Sequence, residues 1–318
     1  MSEWMLATIS RSRVLRKCLG GRFLSLNERI WNRLPLASRG TPLVRRYGDF
    51  LHSLVRLRST RWQYHATFFL RNRPELQLIS TLLQQKADGR SPKLAVLACS
   101  NGAEVYSILW TATSARPDLR VTTEAVDISE AIVEIAKQGR YSLTHSELMD
   151  TPMFERLTEK EIQAIFDRDG DEVVVKPWIR EGIHWRVADA SDPELVERLG
   201  PQDIVVANRF LCHMAPPDAE RCLRNVAHLV APGGYLFVSG VDLDVRTKLA
   251  LELGWTPVGD LLEEIHDGDP SVRAGWPWKY WGLEPFTKNR RDWRVRYASV
   301  FQLGSPTAMR SRRELVAK

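Results

Sequence analysis

Apolar and polar positions change their period near residue 94 of this 318-residue chain. Before that point the spacing is helical. Leu43, Tyr47, Phe50, Leu51, Leu54 and Val55 recur on one stripe of residues 43–58, and residues 1–60 read as short helices broken at Gly20-Gly21, Pro35, Gly40 and Pro42. Residues 61–86 continue as helix with a break near Pro74. From Leu94 onward, short apolar runs alternate with amphipathic ones. Strands are predicted at 94–98, 121–126, 183–187, 203–207, 234–239 and 296–303, with helices at 103–114, 129–138, 193–199, 217–230 and 245–253. Strands separated by helices make a mostly parallel sheet covered on both faces, so the expected class is α/β, doubly wound, after a helical amino-terminal region.

Two tracts interrupt the alternation. About 45 residues lie between the second helix and the strand at 183, more than an ordinary connection. They carry helical patterns at 144–149 and 158–166, a turn at Asp169-Gly170-Asp171 and the β-branched run Val173-Val174-Val175. A small inserted subdomain is expected there. Beyond residue 254, Trp255, Trp276, Trp278, Trp281 and Trp293 make up five of the chain's 11 tryptophans. Large rings mostly bury area, so this tract reads as core in preference to a substrate lid. The expected organisation is a basic helical region over 1–73 and a main domain over 74–304. Within the main domain lie the insertion (about 142–182) and the Trp-rich tract (about 255–293), and a basic tail follows over 305–318.

The candidate chemistry sits in LAVLACSNGAEVYS (94–107) and VTTEAVDIS (121–129). A buried run, Leu94 to Ala98, delivers the small turn Cys99-Ser100-Asn101-Gly102 into a helix. Gly102, without a Cβ, is expected to let a ligand approach the backbone. Asp127 follows 25 positions later at the end of the second strand, where a carboxylate accepts both hydrogen bonds of a ribose diol. The chain has neither a complete G-x-G-x-x-G nor a G-x-x-x-x-G-K-[ST], so a dinucleotide or a triphosphate is not favoured. The remaining common occupant of such a crevice is S-adenosylmethionine.

Composition narrows the class without naming it. With 44% hydrophobic and 26% charged residues, the chain is ordinary for a soluble globular protein. No apolar run approaches the roughly 20 residues that cross a bilayer, and the basic first 20 residues lead into no secretory core. Cys18, Cys99, Cys212 and Cys222 show no C-x-x-C spacing and no His cluster accompanies them. Free thiols in a reducing cytoplasm and no metal site are expected. Charge is asymmetric: residues 1–73 carry 15 Arg and Lys against three acids, and the rest of the chain is net acidic. An anionic partner or a solvated Arg-rich helical face both account for it.

Four blocks, in order, resemble the chemotaxis-receptor (CheR-type) methyltransferase family, whose members methylate glutamate side chains with S-adenosylmethionine. They are ATFFLRNRPEL (66–76), ACSNGAEVYS (98–107), AVDISEAIVEIAKQGRY (125–141) and DIVVANRFLCHM…LVAPGGYLFVSG (203–240). The resemblance implies a Rossmann-like class I methyltransferase fold. It also implies that Glu104 holds the cofactor's methionine portion, where an amino group needs an ionic acceptor. Asp127 matches the ribose-binding acid and Asp189 the polar residue near the adenine. Cys99, Ser100, Gly102, Ile128, Ala190 and Asn208 complete the expected cofactor set, with Cys99 a small filler, not a nucleophile. Asn208 and Arg209 fall at the family's Arg-Asn pair in reversed order, and Arg71 at the arginine of its first block. His213 stands where the family has tyrosine, Ser129 and Ala103 replace two of its acids, and the tract after 254 has no counterpart.

Arg71, Arg209 and His213 are thus the candidate catalytic residues. A carboxylate acceptor is already ionised at neutral pH and needs a cation to hold it, not a base. A hydroxyl acceptor needs a base such as His213. The expected activity is methyl transfer to a protein glutamate. Alternatives are a small-molecule, nucleotide or glycolipid acceptor, or a cofactor-binding module without catalysis.

Overall fold

The computed structural model describes residues 13–63, 65–145 and 153–304. Residues up to Thr60 join Ser271–Pro285 in one compact unit, and Arg61–Pro270 join the chain from Phe286 in another. This grouping differs from the boundary expected at 73.

The larger unit is built on strands β1 (Lys93–Leu97), β2 (Thr122–Asp127), β3 (Arg140–Ser142), β4 (Phe166–Asp169) and β5 (Glu172–Val175). After them come β6 (Ile183–Val187), β7 (Gln202–Val206), β8 (Val230–Phe237), β9 (Thr256–Pro257) and β10 (Val300–Gln302). Seven form one sheet in the order β6-β2-β1-β7-β8-β10-β9. The first five of these are parallel, and β10 is antiparallel to both its neighbours. Leu94–Leu97 of β1 and Ile204–Val206 of β7 are fully buried, which is why these strands read as unbroken apolar runs. From β1 the chain moves to β2 and β6 on one side, then returns to β7 on the other. Strand order therefore reverses between β1 and β7, and a crevice opens beyond their carboxyl ends.

β3, β5 and β4 make a separate antiparallel sheet within the insertion. Its hairpin turns at Gly170, at φ +63°. Phe69 anchors this sheet to the main one. Its ring stacks on Phe154 at 5.6 Å and meets Phe166 edge-on at 4.9 Å and Tyr141 at 5.4 Å. Of the helix expected at 144–149, residues 146–149 lie outside the described residues; Thr144 and His145 are not helical.

Three sequence expectations are corrected here. Residues 61–63 and 65–72 are not helical; the helix is Arg73–Lys86, with Pro74 in its first turn. In the first turn a missing N–H costs nothing. Asn72 caps that helix by accepting the Glu75 N–H. The run 296–303 divides into a helix, Trp293–Tyr297, and the three-residue β10. Gly20-Gly21 does not break the chain's first described helix, Arg13–Arg33; about 1 kcal/mol per glycine does not stop so long a helix.

In the smaller unit, the helix Pro42–Arg58 buries Gly48, Leu51, His52 and Val55. Leu43 and Phe50, assigned to the same stripe from the sequence, face solvent. Gly48 is needed because a Cβ there would lie 2.2 Å from the Trp276 ring. Trp276 and Trp278 also meet Trp31 edge-on at 5.4 and 6.4 Å. These rings are packing.

Candidate active site

β1 ends in a loop that alternates left-handed residues: Ala98 at φ +53°, Ser100 at +51° and Gly102 at +87°. Two of them carry side chains, a strain of about 1 kcal/mol or more each that tertiary bonds must hold. The Cys99 N–H donates to Val126 O at 3.0 Å, and the Ser100 N–H to Asp127 Oδ2 at 2.9 Å. The Ser100 hydroxyl donates to His65 O at 2.6 Å. Asp127 is buried, and its Oδ1 accepts the Ser129 N–H at 3.1 Å. Each of its oxygens thus holds one backbone N–H and keeps a lone pair for a ligand.

A cavity of about 250 Å³ lies beyond this loop at the carboxyl ends of the strands. Arg71, Cys99, Ser100, Glu104, Asp127, Ile128, Asp189, Ala190, Asn208, Arg209 and His213, all named from the sequence, line it. Gly102 does not. A Cβ on Gly102 would approach Trp185, Tyr106 and Ala136 at 3.0–3.2 Å. The glycine therefore serves the left-handed turn and the packing behind the loop, not ligand approach, which corrects that expectation. Cys99 is 1% exposed, and burial followed by the Asp127 charge pushes its thiol well above the ordinary range. It is a filler, not a nucleophile.

Two arginines, Arg71 and Arg209, also line the cavity. Arg209 follows β7 in the left-handed region at φ +62°, held by its N–H to Ser239 O at 2.9 Å. A Cβ on Gly240 would lie 2.5 Å from the Arg209 Cα. Arg209 reaches Glu104 Oε1 and Asp269 Oδ2, both at 3.4 Å. Arg71 Nε donates to the same Asp269 oxygen at 2.6 Å, and Arg156 Nη2 donates to the other at 3.1 Å. Burial, then the neighbouring Arg209, pushes Arg71 down to about 10, so it stays charged near neutrality. Burial opposes the charge on Arg209, but Glu75, Asp269 and Glu104 outweigh it and hold the guanidinium above its ordinary value.

His213 closes a short 3-10 turn, Leu211–His213. Arg61 pins that turn by donating to Cys212 O at 3.0 Å and Met214 O at 2.8 Å while paired with Asp242. Burial first, then Arg61, His65 and Arg71, hold His213 below its ordinary value. A neutral imidazole results at pH 7.

Sequence reasoning missed Asp269, Arg156, Glu75, Arg61 and His65. Of these, only His65 lines the cavity directly; the others hold the residues that do. Among the described residues no tryptophan lines the cavity, and no group of three or more His, Cys, Asp or Glu is placed to hold a metal. Carboxylates and guanidinium groups both line the cavity, so it can meet a diol, a cation and an anion.

Residues 65–245, more than half of the chain, match the family model described as CheR methyltransferase, SAM binding domain. A probable biofilm formation methyltransferase WspC of Pseudomonas putida is 28% identical over 225 residues, 66% of this chain and 49% of that protein. A chemotaxis protein methyltransferase of Vibrio parahaemolyticus is 25% identical over 226 residues, 64% and 79% of the two chains. An uncharacterised 104.1 kDa protein of Rhodobacter capsulatus is 26% identical over 54% of this chain and only 17% of its own length. The chain therefore spans less than half of some relatives it matches. Among solved structures, the N-methyltransferase NodS of Bradyrhizobium japonicum, in complex with S-adenosylhomocysteine, aligns at 15% identity and a TM-score of 0.33. That alignment covers 59% of this chain and 78% of NodS. At such values the fold assignment rests on the strand order itself.

Proposed function

The chain belongs to the CheR methyltransferase family, carrying its S-adenosylmethionine-binding domain, and we propose that it methylates a carboxylate, a glutamate side chain of a protein. The observation that carries this reading is that one cavity is lined by the carboxylates Asp127 and Glu104 and by the guanidinium groups of Arg71 and Arg209. The cofactor supplies an electrophilic methyl group on a sulfonium. Asp127, with a lone pair left on each oxygen, would take the ribose diol. Glu104 would take the amino group, and Asp189, Ile128 and Ala190 would border the adenine.

Arg71 and Arg209 both reach one oxygen of Asp269. They therefore already hold one carboxylate between them, and both line the cavity. An acceptor glutamate, ionised above about pH 4.3, needs only to be oriented in line with the methyl group. Arg71 and Arg209 would hold its oxygens by charge-assisted hydrogen bonds. A hydroxyl acceptor is the second reading, favoured by the neutral His213 imidazole in the same cavity, a base with the proton-free form populated at pH 7.

Incubation with methyl-tritiated cofactor and a cell lysate separates the two. Alkali-labile label on protein is expected from carboxyl esters; alkali-stable label would transfer the reading to His213 and a different acceptor. Asp127→Ala should lose S-adenosylhomocysteine binding by at least about 100-fold in calorimetry, the worth of two charge-assisted hydrogen bonds. Equal affinity in both proteins would remove Asp127 from the site.

A further inference from the structure

Glu75 lies behind the cavity in the first turn of the helix Arg73–Lys86 and is 2% exposed. Asn208 joins it to Glu104. One amide hydrogen of Asn208 goes to Glu75 Oε1 at 2.8 Å and the other to Glu104 Oε1 at 2.9 Å. The Asn208 oxygen accepts the Ser239 N–H at 3.0 Å and the Ser239 hydroxyl at 2.7 Å. The amide has no second orientation, since a flip would set its oxygen against two carboxyl groups. Glu75 Oε2 is buried with no hydrogen-bond partner among the described residues. A buried acid so thinly bonded is costly, and an apolar or amide side chain of similar size would serve packing better.

The charged groups around Glu75 come from every neighbouring element. Glu104 faces it from the helix Ala103–Ala115, Arg209 from the segment after β7, and Asp269 from the segment before the helix Pro270–Gly275. Arg71 shares with Glu75, Glu104 and Arg209 the lining of a small cavity of about 10 Å³.

We propose that Glu75 is a positioning residue whose charge, coupled through Asn208 to Glu104, sets the affinity of the site for the cationic end of its cofactor. The proposal rests on the assignment of Glu104 to the cofactor's amino group. Burial pushes Glu75 up to about 7, with Glu104 adding to the rise and Arg209 opposing it. Below that pH Glu75 is neutral, and Glu104 stands against Arg209 with less support. Above it, a second carboxylate adds negative potential behind Glu104, which favours an ammonium and a sulfonium.

The test is calorimetry of the full chain with S-adenosylmethionine and with S-adenosylhomocysteine, at about pH 6 and about pH 8.5, on either side of the Glu75 titration. Wild type should bind S-adenosylmethionine about tenfold tighter at the higher pH, the equivalent of one pKa unit. The gain should be smaller for S-adenosylhomocysteine, which lacks the sulfonium charge. Glu75→Gln keeps the shape and an oxygen for Asn208, and should lose that gain. Glu75→Leu removes the charge by another route and serves if the Gln protein does not fold. His65 and His213 line the same cavity, but both variants retain them, so the difference between profiles isolates Glu75. Parallel profiles in wild type and variant would overturn the role of Glu75 and leave the proposed function standing. No binding of either ligand by wild type would bring down both.

Discussion

A carboxyl group that titrates at about 7 in the folded chain and near its ordinary 4.5 when unfolded binds more protons folded than unfolded throughout that window. The contribution of Glu75 to stability is therefore complete below about pH 4.5 and falls as the pH climbs to about 7, by a few kcal/mol. Glu75→Gln cannot titrate. Its melting temperature should gain on wild type as the pH rises from about 4.5 to about 7, where the linkage acts; a gap that does not move with pH would contradict it. Which residues the sequence exposed follows from where they sit. Asp127 ends a strand and Glu104 opens a helix, positions that hydrophobic patterning locates. Glu75 is three residues after the cap Asn72, so in the sequence it has the spacing of a capping-box acid. Only the fold turns its carboxyl to Asn208. Asp269 hides in His266-Asp267-Gly268-Asp269-Pro270, a composition that signals a turn, and Arg156 falls between the two helical patterns of the insertion.

The alternation of strand and helix from residue 93 was legible because Leu94–Leu97 of β1 and Ile204–Val206 of β7 are apolar runs and the helices Glu130–Gln138 and Pro216–His228 are two-faced. The segment before the helix Arg73–Lys86 was not. Thr67, Phe68, Phe69 and Leu70 are all buried, and such a run has neither helical nor strand period. Its backbone is satisfied by tertiary partners instead: the Phe69 N–H donates to Met153 O at 3.1 Å and the Leu70 N–H to Ser107 Oγ at 2.9 Å. The Phe69 ring then ties the inserted sheet to the main one. Phe69→Ala should cost about 3–5 kcal/mol, the usual loss for a buried aromatic, read from urea unfolding. A loss below about 1 kcal/mol would show that the aromatic cluster is not the tie.

For the molecule as a whole, no local pattern places residues 271–285 with the amino-terminal helices. That grouping depends on Trp31 meeting Trp276, a pairing between distant parts of the sequence. The charge asymmetry was visible from the start. If residues 1–73, with 15 basic side chains against three acidic ones, engage an anionic partner, the full chain should be held on a nucleic acid or heparin column at low salt and released steeply as salt rises. Passage without retention at low salt would leave the basic residues as a solvated surface. Strand β10 carries a further consequence for how the sheet is completed. It lies between β8 and β9, although roughly sixty residues separate it from β8 along the chain. During vectorial synthesis β8 must wait with one flank of amide and carbonyl groups open to any passing extended peptide. A nascent or truncated polypeptide that stops short of residue 300 is for that reason a substrate for chaperones and a seed for aggregates.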